Sequence, residues 1–388
     1  MSGVAEAAPA RGEALAPAAI FVAAVVSEYS LLIMPFIVGA AVDGYGISES
    51  FVSEIVALHL LGMTAGSLVV SLTIDRLNAR AAVVLAGLAI AVANALCAAH
   101  VPLAGFIAAR AGTGIGEGMM MALSGAAAGR SRSPETLFTA IGFGVAAVAA
   151  IVLYAVPYLS DAFGRGSVFG VSSGLGCLAA AAALPWFPSL PLPRELADWR
   201  HWLTRRNVLI LLGFAALWSS ASSLWVYAEA ISTGNGLTLE QVGTDLSIAQ
   251  IFGLAGPPLV LALRARSALG MVQLIFLGLA MCLVGAVVFV EVRGTPGCLG
   301  GAILMSIATM FLNPCFRSLM AAVDAQGRVV AASVAFYTIG YGFAPFLIGW
   351  ALLFFAQTPV ILSASIGFLA IAALSVWGGR VEERRAAP

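Results

Sequence analysis

The sequence predicts an all-α polytopic membrane protein with twelve transmembrane helices in two six-helix bundles. Three observations carry this. Only 10% of the 388 residues are charged and 61% are hydrophobic, whereas a soluble domain holds roughly 25% charge. Twelve spans of about 20 residues would use roughly 240 residues, so the chain has room for them and for short connections, without a large soluble domain. The arginines, finally, alternate in sidedness from one connection to the next.

Apolar runs, read against Gly, Pro and charged interruptions, place the first six spans at 17–42, 52–74, 81–99, 102–127, 137–158 and 167–187. The second six fall at 207–231, 241–263, 269–291, 296–322, 329–355 and 359–378. The first run is too long for a cleavable signal peptide, carries Glu28 and is followed by further spans. The longest polar interruption separates the blocks, so the expected plan is an N-terminal bundle (1–187), a cytoplasmic linker (188–206) and a C-terminal bundle (207–388). Trp199 and Trp202 among arginines suit either a short helix on the inner membrane surface or a plain linker.

All 19 basic residues are Arg. With the N-terminus inside, Arg11, Arg76, Arg80, Arg130, Arg132, Arg194, Arg200, Arg205, Arg206, Arg264, Arg266, Arg328, Arg380, Arg384 and Arg385 face the cytoplasm. Only Arg165 and Arg293 fall in outer loops, and Arg110 and Arg317 lie within spans. This bias predicts a multi-pass protein of the inner (plasma) membrane with both termini cytoplasmic. Cys97, Cys177, Cys282, Cys298 and Cys315 lie in or beside apolar runs with no CxxC or Cys/His cluster, so they read as small buried hydrophobes. No metal, cofactor or nucleic-acid partner is expected, and the protein is expected to act as a monomer.

After the second span the chain reads Ser71-Leu-Thr-Ile-Asp75-Arg76-Leu-Asn78-Ala79-Arg80. This resembles the signature loop of the major facilitator superfamily, Gly-x-x-x-Asp-Arg-x-Gly-Arg-Arg, at Asp75, Arg76 and Arg80. Ser71 and Asn78 replace its glycines and Ala79 one of its arginines; Asn tolerates a left-handed turn best after Gly. The resemblance implies the major facilitator fold, with Asp75, Arg76 and Arg80 forming a cytoplasmic latch that favours the outward-facing state. Charges that merely enforce topology are the competing explanation. The loop at Leu263–Arg266 has no acid, so one latch is expected. On the fourth span, Arg110-Ala-Gly-Thr-Gly114-Ile-Gly116-Glu117-Gly118 looks like a stretch of the organic-anion symporter and spinster-like branches. The fifth span reads Ala140-Ile-Gly142-Phe-Gly144-Val and lacks the Gly-Pro-x-x-x-Gly pattern of drug/proton antiporters, which weakens the exporter reading.

Ionisable residues inside spans are costly and usually face a cavity or a partner. At about 1.5 Å per residue, Glu28 and Glu117 lie roughly 20 Å from the outer boundary, and His59 and Arg110 roughly 10 to 12 Å from it. Arg110 and Glu117, seven apart, share one helix face. The first and fourth spans both line the cavity of the family fold, so Glu28 and Glu117 come within interaction range, and two nearby carboxylates in a dry site cannot both ionise cheaply. Glu28, Glu117, Arg110 and His59 are therefore the candidate proton-coupling set. Local structural contacts are the competing explanation, and for His59 a satisfied core histidine. Glu54, Glu229 and Asp245 near outer span ends suit gating or solvation equally, and Arg317 with Asp324 suits an inner gate or a topology signal.

The seventh span, Leu217-Trp218-Ser-Ser-Ala-Ser-Ser-Leu-Trp225-Val-Tyr227, holds four serines between two tryptophans. With Gln250 on the eighth span and Tyr337 and Tyr341 on the eleventh, Trp218 and Ser222 form the candidate substrate wall, aromatic and hydroxyl-rich. Trp225 fits the interfacial belt as well. Gly62 and Gly66, Gly340 and Gly342, and Gly253 and Gly256 allow close helix approach and sliding, or tight static packing. Together these features predict a secondary active transporter that moves a small organic solute, amphipathic, aromatic or anionic, by alternating access, proton-coupled through Glu28 and Glu117. A proton-driven exporter and a non-transporting sensor of the same fold are the alternatives. The residues show no nucleophile triad, metal cluster or phosphate loop, so an enzyme is not expected.

Overall fold

The computed structural model describes residues 15–73, 76–129, 131, 134–188, 204–266, 269–323 and 328–386. The described residues are almost entirely helical: α1 (Ala16–Leu32), α2 (Met34–Tyr45), α3 (Glu49–Thr73), α4 (Ala79–Ala98), α5 (Leu103–Gly129), α6 (Pro134–Phe163) and α7 (Ser167–Trp186) precede the linker region. After it come α8 (Arg205–Trp225), α9 (Ala228–Gly234), α10 (Leu239–Gly253), α11 (Gly256–Arg266), α12 (Met271–Glu291), α13 (Thr295–Val323), α14 (Arg328–Ala351) and α15 (Gln357–Ala386). Nine helical stretches among the described residues are long and apolar enough to cross a membrane, or ten with the bent α1/α2 pair. Adding α5 and α14 gives twelve spans. Helix α5 falls short of that measure because it carries Arg110, Glu117 and a run of glycines instead of aliphatic side chains.

Most span boundaries fall within a few residues of expectation. The exceptions are α6, which continues to Phe163, α14, which stops at Ala351, and α15, which runs on to Ala386. Three spans are broken, two of them beside prolines. Pro35 removes a helix donor and crowds the preceding turn, so the first span breaks at Ile33 and bends by 53°. The seventh breaks at Val226–Tyr227, and the eighth breaks before Gly256-Pro257-Pro258. The first and seventh spans hold equivalent places in the two halves, and interrupted spans in corresponding positions mark binding sites in carriers. Helix starts are capped by side chains: Thr204 accepts from Asn207 N at 3.2 Å, and Thr238 and Gln241 form a reciprocal capping box.

Asn78 differs from expectation. Its backbone is extended (φ −75°, ψ 100°) rather than left-handed, and its side chain caps α4 by accepting from Ala81 N at 3.1 Å. It works as a helix cap, not as a substitute for a turn glycine. Asp75, the key residue of the expected latch, lies outside the described residues, as do Asp324 and most of the 188–206 linker. Arg76 is exposed, and exposed Arg80 donates from Nε to Phe187 O at 2.7 Å, tying it to the end of α7 within the same half of the chain.

Successive spans alternate in direction, so one face of the bundle, the terminal face, carries both the start of α1 and the end of α15. At the opposite face the halves (α1–α7 and α8–α15) are sealed along α3 against α14 and α6 against α10. Ser50 Oγ donates to Gly349 O (2.6 Å), Ser53 bonds the Tyr227 hydroxyl, Trp225 Nε1 donates to Leu31 O (2.8 Å), and Ser247 Oγ donates to Ala150 O (2.7 Å). One apolar cluster spans both halves there, including Tyr29, Phe36, Leu60, Leu224, Leu246 and Ile348. Toward the terminal face the core divides into one cluster around Ile20, Val83 and Leu123 and another around Phe214, Phe311 and Phe316. The halves thus join at one end and part at the other.

A clasp reinforces the seal. Arg165 binds Glu229 Oε1 through Nη1 at 2.5 Å and Asp43 Oδ2 through Nε at 3.0 Å. Glu229, on the C-terminal half, is only 8% exposed and packs against Gly39 of α2, where any side chain would strike its carboxylate. Arg165→Gln leaves this buried carboxylate without its cation. A cysteine placed at Ser53, 1% exposed in the seal, should then react several-fold faster with a membrane-impermeant maleimide. Unchanged labelling would show that the clasp does not hold the face shut.

Candidate functional site

The intramembrane charges gather at mid-depth in the N-terminal half. Helix α3 can approach α5 closely because glycines line the contact: a Cβ on Gly114 would strike the His59 backbone, one on Gly118 that of Met63, and one on Gly66 that of Ile115. This proximity brings His59 against two side chains of α5. Its Nε2 lies 3.1 Å from Glu117 Oε2. Its Nδ1 lies 3.0 Å from Arg110 O and 3.3 Å from Arg110 Nη2. His59 and Arg110 do meet at one depth, but the imidazole also reaches a full two turns further to Glu117, which counting along single helices did not foresee.

The network continues on both sides. Ser30 Oγ donates to Glu117 Oε1 at 2.6 Å. Arg110 Nη1 donates to Asn94 Oδ1 at 3.2 Å, its guanidinium lies 5.8 Å from the Phe169 ring centroid, and Asn94 Nδ2 donates to Ile90 O and Thr113 Oγ1. His59, Asn94, Arg110 and Glu117 are all at most 1% exposed. A buried charge of each sign, each with polar partners, is tolerable in a membrane where either alone would not be. Ser30 and Asn94 were not foreseen. The signal for Asn94 was available, since a guanidinium buried in a span needs acceptors and Asn94 is an amide within the preceding helix, a little over one turn from its end.

Glu28 is different. It is half-buried, and among the described residues it has no hydrogen bond or ion pair. Arg317 is exposed, and its one hydrogen bond among the described residues runs from Nε to Asn313 Oδ1 at 2.8 Å within its own helix. Glu28 belongs to the first span of the N-terminal half and Arg317 to the tenth span, in the C-terminal half.

The C-terminal wall is aromatic. Trp218 meets Tyr337 edge-on (centroids 4.7 Å apart, planes at 80°) and lies 6.3 Å from Tyr341, and Phe214 closes the group behind it. The indole N–H of Trp218 is buried without a partner. Gln250 is half-buried on α10, one turn from Ser247 in the seal. Ser222 does not belong to the wall: it is fully buried and its hydroxyl returns to Ser219 O of its own helix at 3.1 Å. Trp225 sits in the seal between the halves, not in an interfacial belt. Of the outer acids, Glu229 is in the clasp, Glu54 is exposed, and Asp245 is buried near Cys298. A groove of about 540 Å³ between α14 and α15 is lined almost wholly by apolar groups and lies away from these charges.

A family model described as the Major Facilitator Superfamily matches residues 18–324. The chain belongs to this superfamily. No curated protein matches the chain. Among solved structures, a D-xylose-proton symporter is 16% identical, with 93% of this chain and 96% of that one covered and a TM-score of 0.71. The nucleoside transporter NupG is 9% identical (94% and 99% covered, TM-score 0.76). A bacterial homologue of the human lysosomal transporter Spinster, in an inward-facing and unoccupied conformation, is 13% identical (95% of both covered, TM-score 0.69). These likenesses show a major facilitator fold of twelve transmembrane helices; at such low identity they carry neither a role nor a substrate.

Proposed function

We propose that this superfamily member carries a small organic solute by alternating access, coupled to protons held by Glu117 and His59. The observation that supports it most is the position of His59 Nδ1 beside both a donor and an acceptor of Arg110. With Glu117 ionised, Nε2–H donates to the carboxylate and Nδ1 accepts from Arg110 Nη2. With Glu117 protonated, its O–H donates to Nε2 and Nδ1–H donates to Arg110 O. One proton is thus taken up with a change of tautomer that keeps both imidazole nitrogens hydrogen-bonded and releases Arg110 Nη2 from Nδ1. Glu28 sits at the edge of the gap, where solute and the Glu117 charge both act on it.

The arginine sidedness assigns the terminal face, with both chain ends, to the cytoplasm. On that reading the molecule is inward-open, its outer side shut by the Arg165 clasp. In proteoliposomes with an internal pH dye, a solute gradient should move protons, and Glu117→Gln should carry solute without them. Solute flux with no proton movement in the unaltered protein, or coupling unchanged in Glu117→Gln, would overturn the proposal.

A further inference from the structure

Resting on the alternating-access reading above, we infer that Trp225 is a positioning residue of the transport cycle: its indole N–H stands in for the backbone donor that Pro35 lacks and holds the bent first span in the closed seal. In an α-helix the N–H of residue 35 bonds the carbonyl of residue 31, and proline has no N–H to give. Leu31 O is thereby left without its helical donor, and a buried carbonyl with no partner is costly. Leu31 is 4% exposed, and the donor its carbonyl receives comes from the other half of the chain: Trp225 Nε1, at 2.8 Å. Trp225 is the last residue of α8, and the seventh span breaks at Val226–Tyr227, where there is neither proline nor glycine. The first and seventh spans are therefore hydrogen-bonded to each other at their breaks.

This bond also connects the seal to the buried charges. The residue before Leu31, Ser30, donates to Glu117 Oε1 at 2.6 Å, so adjacent residues of α1 hold the carboxylate of their own half and the indole of the other. Beyond the bend, α2 carries Gly39, which packs against the Glu229 carboxylate, and Asp43, which binds Arg165 at 3.0 Å. Movement of α1 against α2 thus reaches Glu117 and the clasp together. A second proline-freed carbonyl lies in the same seal. Pro157 leaves Leu153 O of α6 without its helical donor, and that oxygen faces Gly243 of α10 so closely that a Cβ there would stand 2.6 Å from it. Both contacts set backbone that proline has opened against the opposite half. Leu31 O gains its indole partner only while the halves meet on this face and goes over to water when they part. The bond therefore favours the closed state by the modest net worth of one hydrogen bond, which a carrier can reverse in every cycle.

The test puts a cysteine reporter at Ala228, 1% exposed in the seal, in the full-length protein in membranes. Its labelling by a membrane-impermeant maleimide is read against the same protein without the reporter. Trp225→Phe should raise the labelling rate roughly three- to tenfold, the share of one net hydrogen bond. In Pro35→Ala the new backbone N–H serves Leu31 O, so adding Trp225→Phe to that background should change the rate by less than about twofold. Loss of indole bulk acts in both backgrounds, whereas loss of the N–H acts only where Pro35 is present. Benzothienylalanine at position 225, which keeps the ring system and puts sulfur in place of the N–H, should behave as Trp225→Phe does. Labelling unchanged by both replacements at 225, or raised equally in the Pro35 and Pro35→Ala backgrounds, would overturn the inference. If labelling is unchanged while proteoliposomes keep Glu117-dependent proton flux, the inference fails and the transporter reading stands. If the background-dependent labelling is found but no solute is moved, the transporter reading fails and the indole bond is a seal without a cycle.

Discussion

Arg110→Met should leave little folded protein, lowering stability by about 3 to 5 kcal/mol, the usual cost of breaking a buried charge pair from one side. Arg110 is 1% exposed and donates to Asn94 and His59. Its loss removes these donors and leaves the Glu117 carboxylate, 0% exposed, as an uncompensated charge. Adding Glu117→Gln neutralises that charge, so the double variant should recover much of the folded yield while remaining uncoupled. Thermal unfolding and the monodisperse fraction after detergent extraction report both effects. An Arg110→Met protein that melts at the unaltered temperature would mean that Glu117 does not depend on this cation.

Gly118→Val should be comparably damaging for a different reason. A Cβ at 118 falls on the Met63 backbone, and the same tight contact recurs at Gly114 with His59 and at Gly66 with Ile115. Backbone cannot yield as a side-chain end does, so α3 must move away from α5, and overpacking of this kind costs about 1 to 3 kcal/mol or more. The displacement also draws His59 away from Glu117, so variants that fold should still lose coupling. Gly112→Ala is the matched control on the same helix, since nothing lies within 4 Å of its added Cβ. It should be neutral or slightly stabilising through helix propensity. Equal melting temperatures for Gly118→Val and Gly112→Ala would refute the close-packing argument.

Span positions could be read from the sequence because apolar length and charged interruptions are properties of one segment at a time. The identity of the intramembrane charges was legible for the same reason. Partners were harder, because they depend on how each helix is rotated and how closely two helices approach. Ser222 shows this: a serine at mid-span suits a cavity wall or a back-bond to its own helix equally well, and the structure has the latter. His59 gained its second partner only through glycine-lined packing whose result no single-helix count contains.

The core divides unequally, joined at the face opposite the chain ends and split toward the terminal face. A carrier must leave this arrangement and come back, so neither state can lie far below the other. Breaking the shared cluster wets apolar surface at one end, and closing the gap must dry a similar amount at the other. Since hydration of apolar area sets the heat capacity, the two states of this protein should hold nearly equal heat capacities. Their balance would then shift little between cold and warm, and a cell growing across a range of temperatures would keep its carrier in working proportion without any added control.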